Sequence, residues 1–139
     1  MKYLGLDLGT KTLGTALSDR DGKFAFFNKT LFFNSEKYQE LISDLKDIID
    51  EEKVEKIVLG LPKNMNNTLG EAAQRSLRFK KILEDTFSLE VIMQDERLST
   101  KEASTYMIKA DMSRQRRKKK IDGLAAQIIL QAYLDRKVE

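Results

Sequence analysis

The chain has 139 residues, of which 41% are hydrophobic and 34% charged, enough for one domain with a real core under a densely charged surface. It contains neither cysteine nor histidine, which excludes Cys/His zinc sites, Cys or His nucleophiles and bases, and any disulfide staple. The net charge is only +3, but the stretch from Lys109 to Lys120 carries +6 and leaves the remainder at −3. The first residues have no signal-peptide pattern, and no apolar run approaches the roughly 20 residues that span a bilayer. These features predict a cytoplasmic protein with no membrane partner.

In chain order, residues 2–9 and 13–19 are apolar runs around Thr10-Lys11-Thr12, which predicts a β-hairpin. Asp21-Gly22 marks the next turn, and the aromatic-rich 23–33 a third strand. From Ser35 to Lys53 the period changes: Tyr38, Leu41, Ile42, Leu45, Ile48 and Ile49 recur three and four apart, which predicts a helix. Residues 56–61 (KIVLGL) predict a central strand covered on both faces. A loop over 62–70 leads to a helix from Glu71 to Thr86, with Ala72, Leu77, Ile82 and Leu83 facing inward. Residues 89–94 predict a fifth strand. Ser99 and Glu102 form a capping box that starts a helix at Thr100. The basic segment follows, and a last helix runs from about Ile121 to Lys137. Three consecutive strands followed by two that arrive over helical crossovers imply an α/β domain with a mixed five-stranded sheet spanning residues 1–139.

Three carboxylates attract attention. Alternation in the first strand puts Tyr3, Gly5, Asp7 and Gly9 on one face and Leu4, Leu6 and Leu8 on the other. A carboxylate on a central strand is costly without a partner. The flanking glycines predict a cleared space around Asp7, although an aspartate bonded to a turn has the same pattern. Asp95 and Glu96 fall at the end of the fifth strand, where ligands of open α/β sheets gather. Neighbouring strand residues point to opposite faces, so one of the two can join Asp7, and alternation alone leaves open which. Asp122 shares a helical stripe with Ala125, Ala126, Ile129 and Tyr133, although an acid early in a helix also suits the positive dipole end.

Taken together, the acids suit phosphodiester hydrolysis assisted by two divalent ions, Mg²⁺ or Mn²⁺, for which carboxylate oxygens suffice. Arg114, Arg116, Arg117, Lys118, Lys119 and Lys120 would neutralise phosphates of a nucleic acid, the alternative being a solvated basic patch. Lys11 and Lys63 lie in loops near the strand ends and are further phosphate contacts. Arg97 could bind phosphate or steady Glu96, and a surface ion pair explains it equally well. The aromatic group Phe24, Phe26, Phe27, Phe32 and Phe33 is expected to serve core and edge packing rather than base stacking.

The blocks GLDLGTKTLGTALSD, VLGLPKNMNNTLGE, DERLST and DGLAAQIILQAYL resemble, in order and spacing, the four signature blocks of the YqgF family. Its members are described as Holliday-junction-resolvase-like proteins and as nucleases for the precursor of 16S ribosomal RNA. The resemblance spans nearly the whole chain. It implies an RNase H-like fold and three catalytic, metal-ligating acids, which by motif fall on Asp7, Glu96 and Asp122. It departs at Thr12, where the family usually has Arg, at Ser99 within the D-E-R block, and in a less acidic loop over Asn64-Met65-Asn66-Asn67.

The implied activity is that of a divalent-metal-dependent hydrolase cutting structured nucleic acid. Precursor ribosomal RNA is the favoured substrate and four-way junction DNA the alternative, with the protein a monomer or homodimer. Two other readings compete. A D-x-G-T opening, matched by Asp7-Leu8-Gly9-Thr10, also begins ATP-binding folds of the actin and sugar-kinase type. Those need two sub-domains and a second such block, whereas this chain supplies one of each. A non-catalytic RNA- or ribosome-binding module would use only the basic segment, and the presence of all three acids argues against it.

Overall fold

The computed structural model describes residues 1–34, 37–63, 69–95 and 114–137, with backbone alone for 114–123. Strands β1 (Tyr3–Leu8), β2 (Thr12–Ser18) and β3 (Ala25–Phe32) are followed by helix α1 (Gln39–Glu52), strand β4 (Lys56–Leu61), helix α2 (Glu71–Phe87), strand β5 (Glu90–Asp95) and helix α3 (Arg114–Arg136). The sheet order is β3-β2-β1-β4-β5. The first three strands pair antiparallel and β4 and β5 are parallel to β1 and to each other, as the crossovers require. The α/β, RNase H-like architecture with a mixed five-stranded sheet is therefore the one expected.

Alternation sorts the sheet into two cores. Leu4, Leu6 and Leu8 join Ile57, Leu59 and Val91 against Leu41, Leu45 and Ile48 of α1 and Phe79 and Leu83 of α2. The opposite face carries Tyr3, Ala16, Ala25 and Val58, which pack on Ala126, Ile129, Leu130 and Leu134 of α3. In α1 the buried residues fall at the predicted spacing. In α2 the buried stripe is Ala73, Ser76, Phe79 and Leu83, and Ala72 is exposed, one position off the expected face.

Two other expectations are corrected. Helix α3 begins at Arg114 instead of Ile121, so the basic run is helical. Arg and Lys are strong helix formers, and the run lacks only the apolar stripe by which a helix is recognised. Of the aromatic group Phe33 joins the core, whereas Phe24, Phe26, Phe27 and Phe32 are exposed rather than core. β3 is an edge strand, paired with β2 on one side. The capping box at Ser99 and Glu102 lies outside the described residues.

The β2–β3 turn follows the predicted Asp21-Gly22 signal. Gly22 has φ +68°, and a Cβ there would lie 2.9 Å from the Tyr3 ring. Asp19 closes this turn: its carboxylate accepts the backbone N–H groups of Lys23 (2.8 Å) and Phe24 (3.2 Å). Those two bonds, Lys23 first, hold its carboxyl below the ordinary aspartate range.

Candidate active site

Asp7 is half-buried near the C-terminal end of the central strand β1. Its ladder partner on β2 is Gly14, so no side chain opposite it crowds the carboxylate. The other two glycines do different work from that expected. A Cβ on Gly5 would stand 2.7 Å from Leu130 Cβ and 3.2 Å from the Ala126 carbonyl oxygen, so Gly5 is where α3 presses on the sheet. Gly9 serves the tight β1–β2 turn, donating its N–H to the Thr12 carbonyl at 2.8 Å. The room around Asp7 therefore comes from Gly14, and Gly5 supplies closeness.

That closeness sets where α3 runs. The rings of Tyr3 and Tyr133 meet at 5.7 Å, and Gly5 lies under Leu130 and Ala126. Two residues further along β1, about 7 Å, is Asp7. One helical turn back from Ala126, about 6 Å, is position 122. The contacts between the two elements thus run toward Asp7 along β1 and toward position 122 along α3. Polar groups on α3 fasten this alignment. Gln131 accepts the Ala25 N–H at 2.8 Å and donates to the Lys23 carbonyl at 2.9 Å. Gln127 donates to the Ala25 carbonyl at 3.1 Å, and the Arg136 guanidinium donates to Gln94 at 2.7 Å. The sequence reading missed these glutamines. Their signal was an amide recurring every fourth residue along a helix that is otherwise apolar on its inner side.

The register also bears on the Asp95–Glu96 alternative. Gln94 pairs with Gly60 and reaches α3, whereas Asp95 pairs with Leu61, which shares the α1/α2 face with Leu59. Asp95 is therefore on the face opposite Asp7. Glu96 and Arg97 lie outside the described residues. Lys11 is exposed in the β1–β2 turn and Lys63 half-buried after β4, both at the edge of the sheet where β1 ends. Arg114, Arg116, Arg117, Lys118, Lys119 and Lys120 occupy roughly the first two turns of α3.

Among the described residues no three acidic side chains form a metal-binding group. Asp7 is the single member of the predicted trio whose side chain is described. The donor chemistry still suits a hard divalent cation: a half-buried carboxylate on a strand, with no thiol or imidazole anywhere in the chain to favour a softer ion.

The family model for RuvX, described as Holliday junction resolvase, matches residues 1–136. The chain belongs to this family. It corresponds to the YqgF proteins whose signature blocks the sequence resembles. A relative from Geobacillus sp. (strain WCH70) is 53% identical over 137 residues, covering 99% of both chains, and bears the name "Putative pre-16S rRNA nuclease". Among solved structures, a fowlpox virus resolvase with Holliday junction DNA is similar over 100% of both chains, with a TM-score of 0.62 and 11% identity. A Thermus thermophilus RuvC in complex with a Holliday junction substrate is similar over 98% of this chain and 96% of its own, with a TM-score of 0.56 and 15% identity. At such identities these two show a shared fold.

Proposed function

We propose that the protein is a divalent-metal-dependent nuclease of the cytoplasm that trims the precursor of 16S ribosomal RNA. One observation carries the reading: half-buried Asp7 lies two residues beyond the Gly5–Ala126 approach of β1 and α3, at the strand end where Lys11 and Lys63 supply positive charge. The names of relatives about half identical over the full chain favour ribosomal RNA as substrate.

On this reading Asp7, Glu96 and Asp122 are the catalytic acids and hold Mg²⁺ or Mn²⁺. When bound, such ions polarise the phosphate and lower the pKa of water. Asp7 contributes a carboxylate fixed by the sheet, so little reorganisation is needed to present it to a cation and a phosphate. Lys11, Lys63, Arg97 and the basic turns of α3 hold the phosphate backbone on either side of the scissile bond.

Four-way junction DNA is the second reading, favoured by the family description and by the two resolvases that share the fold. Symmetric cutting of a junction needs two active sites and hence a homodimer, whereas RNA trimming is compatible with a monomer.

The test sets a structured 16S precursor RNA beside a four-way DNA junction, with Mg²⁺ or Mn²⁺, for the wild type and Asp7→Asn. We expect the wild type to cut RNA and Asp7→Asn to lose cleavage with an unchanged circular dichroism spectrum. Cleavage of junction DNA alone would keep the site and reverse the substrate. Tight binding without cleavage of either, unaltered in Asp7→Asn, would leave a binding module.

A further inference from the structure

Phe24, Phe26, Phe27 and Phe32 are 60%, 57%, 49% and 75% exposed. Single exposed apolar side chains are ordinary, but four on one short strand and its entry make a patch that needs a purpose. The ladder divides them. Phe26 pairs with Leu17, on the α1/α2 face. Phe27 pairs with Ala16, which packs on α3, and Phe32 pairs with Thr12, two residues before Gly14, the partner of Asp7. Phe27 and Phe32 therefore share the face of the sheet that carries Asp7.

Five residues apart on a regular strand, those two side chains would point to opposite faces. A β-bulge prevents it. The register shifts between Thr15 and Ala16, leaving Asn28 as the extra residue. The buried Thr15 hydroxyl pins the bulge: it donates to the Lys29 carbonyl at 2.6 Å and accepts from the Lys29 N–H and the Asn28 amide, each at 3.1 Å. The edge strand is thus bent so as to set both rings on the Asp7 side.

Phe32 is two strands across from Asp7 and at the same end of the sheet, about 12 Å away by strand spacing and rise. Phe33 donates its N–H to the Lys11 carbonyl at 2.9 Å, which extends the ladder by one residue and puts exposed Lys11 at the same end of the sheet as Phe32. From Lys23 to Asn34 the chain has two lysines and no acid. Lys29 lies on this edge strand, and edge lysines are a common guard against pairing with a second copy. An exposed ring and an exposed cation at one end of the sheet, with no acid on the strand, fit a base and its phosphate.

We propose that Phe32, with Phe27 behind it, is a stacking platform for unpaired bases adjoining the scissile phosphate, and that Lys11 takes the phosphate between. This rests on the nuclease reading and narrows it: the strand entering the site is single-stranded where it crosses β2 and β3. A continuous duplex hides its base faces and cannot use the platform.

The experiment uses a short single-stranded RNA with 2-aminopurine at successive positions, and the same strand annealed to its complement. Binding is measured without divalent cation so that no cleavage intervenes. We expect quenching of one neighbourhood of 2-aminopurine positions by the wild type, and its loss in Phe32→Ala with about tenfold weaker binding. Phe32→Trp should restore both. The salt slope should be unchanged in Phe32→Ala, since stacking releases no counterions. Duplex affinity should be the same for wild type and variant.

Equal affinity of Phe32→Ala and a binding-competent wild type for the single strand would overturn the platform and leave the nuclease reading standing. A wild type that binds neither RNA nor branched DNA would remove both. Loss of a dimer in Phe32→Ala by sedimentation, with RNA affinity intact, would make the patch a contact between copies and overturn the proposal.

Discussion

Gly5 illustrates how one residue can be noticed for the right reason and given the wrong job. Its place beside Asp7 suggests cleared space, but the space is filled by α3, whose Leu130 and Ala126 sit where a Cβ would go. Gly5→Ala should therefore cost about 1–3 kcal/mol through overpacking, read as a lower urea midpoint. It should also reduce cleavage by more than the lost folded fraction accounts for, because pushing α3 outward moves position 122 away from Asp7. An unchanged midpoint would mean that the helix is free to shift. Asp19 offers a second test. Its carboxyl is held below the usual range by the N–H groups of Lys23 and Phe24, so its contribution is complete above the unfolded aspartate value of about 3.9 and fades as pH falls through the lower folded value. The stability gap between wild type and Asp19→Ala should accordingly be constant near neutrality and shrink in acid. A gap that grows on acidification would reverse the assignment.

Elements differ in how openly they declare themselves. β1, β4 and α1 were legible because a continuous apolar run or a three-four period matched their burial with no interruption. α3 was misplaced at its start because a run of cations has helix propensity without a helix pattern. β3 was recognised as a strand, but its faces were not, since a bulge stabilised by a hydroxyl thirteen and fourteen residues away breaks the period of two. The helical state of the basic run changes what it can do. Successive residues turn about 100°, so the five cations from Arg116 to Lys120 surround the axis, and about half can touch one backbone. Neutralising all five should thus flatten the log–log salt dependence of RNA binding by about two units, against about four for an extended segment. A drop near four would mean that the run leaves its helical form on binding.

At the scale of the whole molecule, the sheet order and the two-sided core follow from strand patterns and crossover rules, which is why the fold could be anticipated. The candidate site follows less directly. Asp7 could be singled out because a carboxylate on a central strand is expensive. The proposed pairing with position 122 depends on how α3 crosses the sheet, which Gln127 and Gln131 help to set by anchoring the helix to Ala25 across more than a hundred residues of chain. No local pattern encodes such a distance. The family resemblance favours Glu96 over Asp95, and the register separately puts Asp95 on the face opposite Asp7.

The order of assembly also has a consequence for timing. The helix that covers the Asp7 face is written last among these elements, while the strands beneath it are written first. A nascent chain on the ribosome can complete its hairpins and the α1/α2 core while Gly5, Ala16 and Val58 lie bare. On the reading proposed above, hydrolytic competence arrives only when α3 has left the exit tunnel and docked. A half-made nuclease is thereby harmless to the RNA of the machine that is making it.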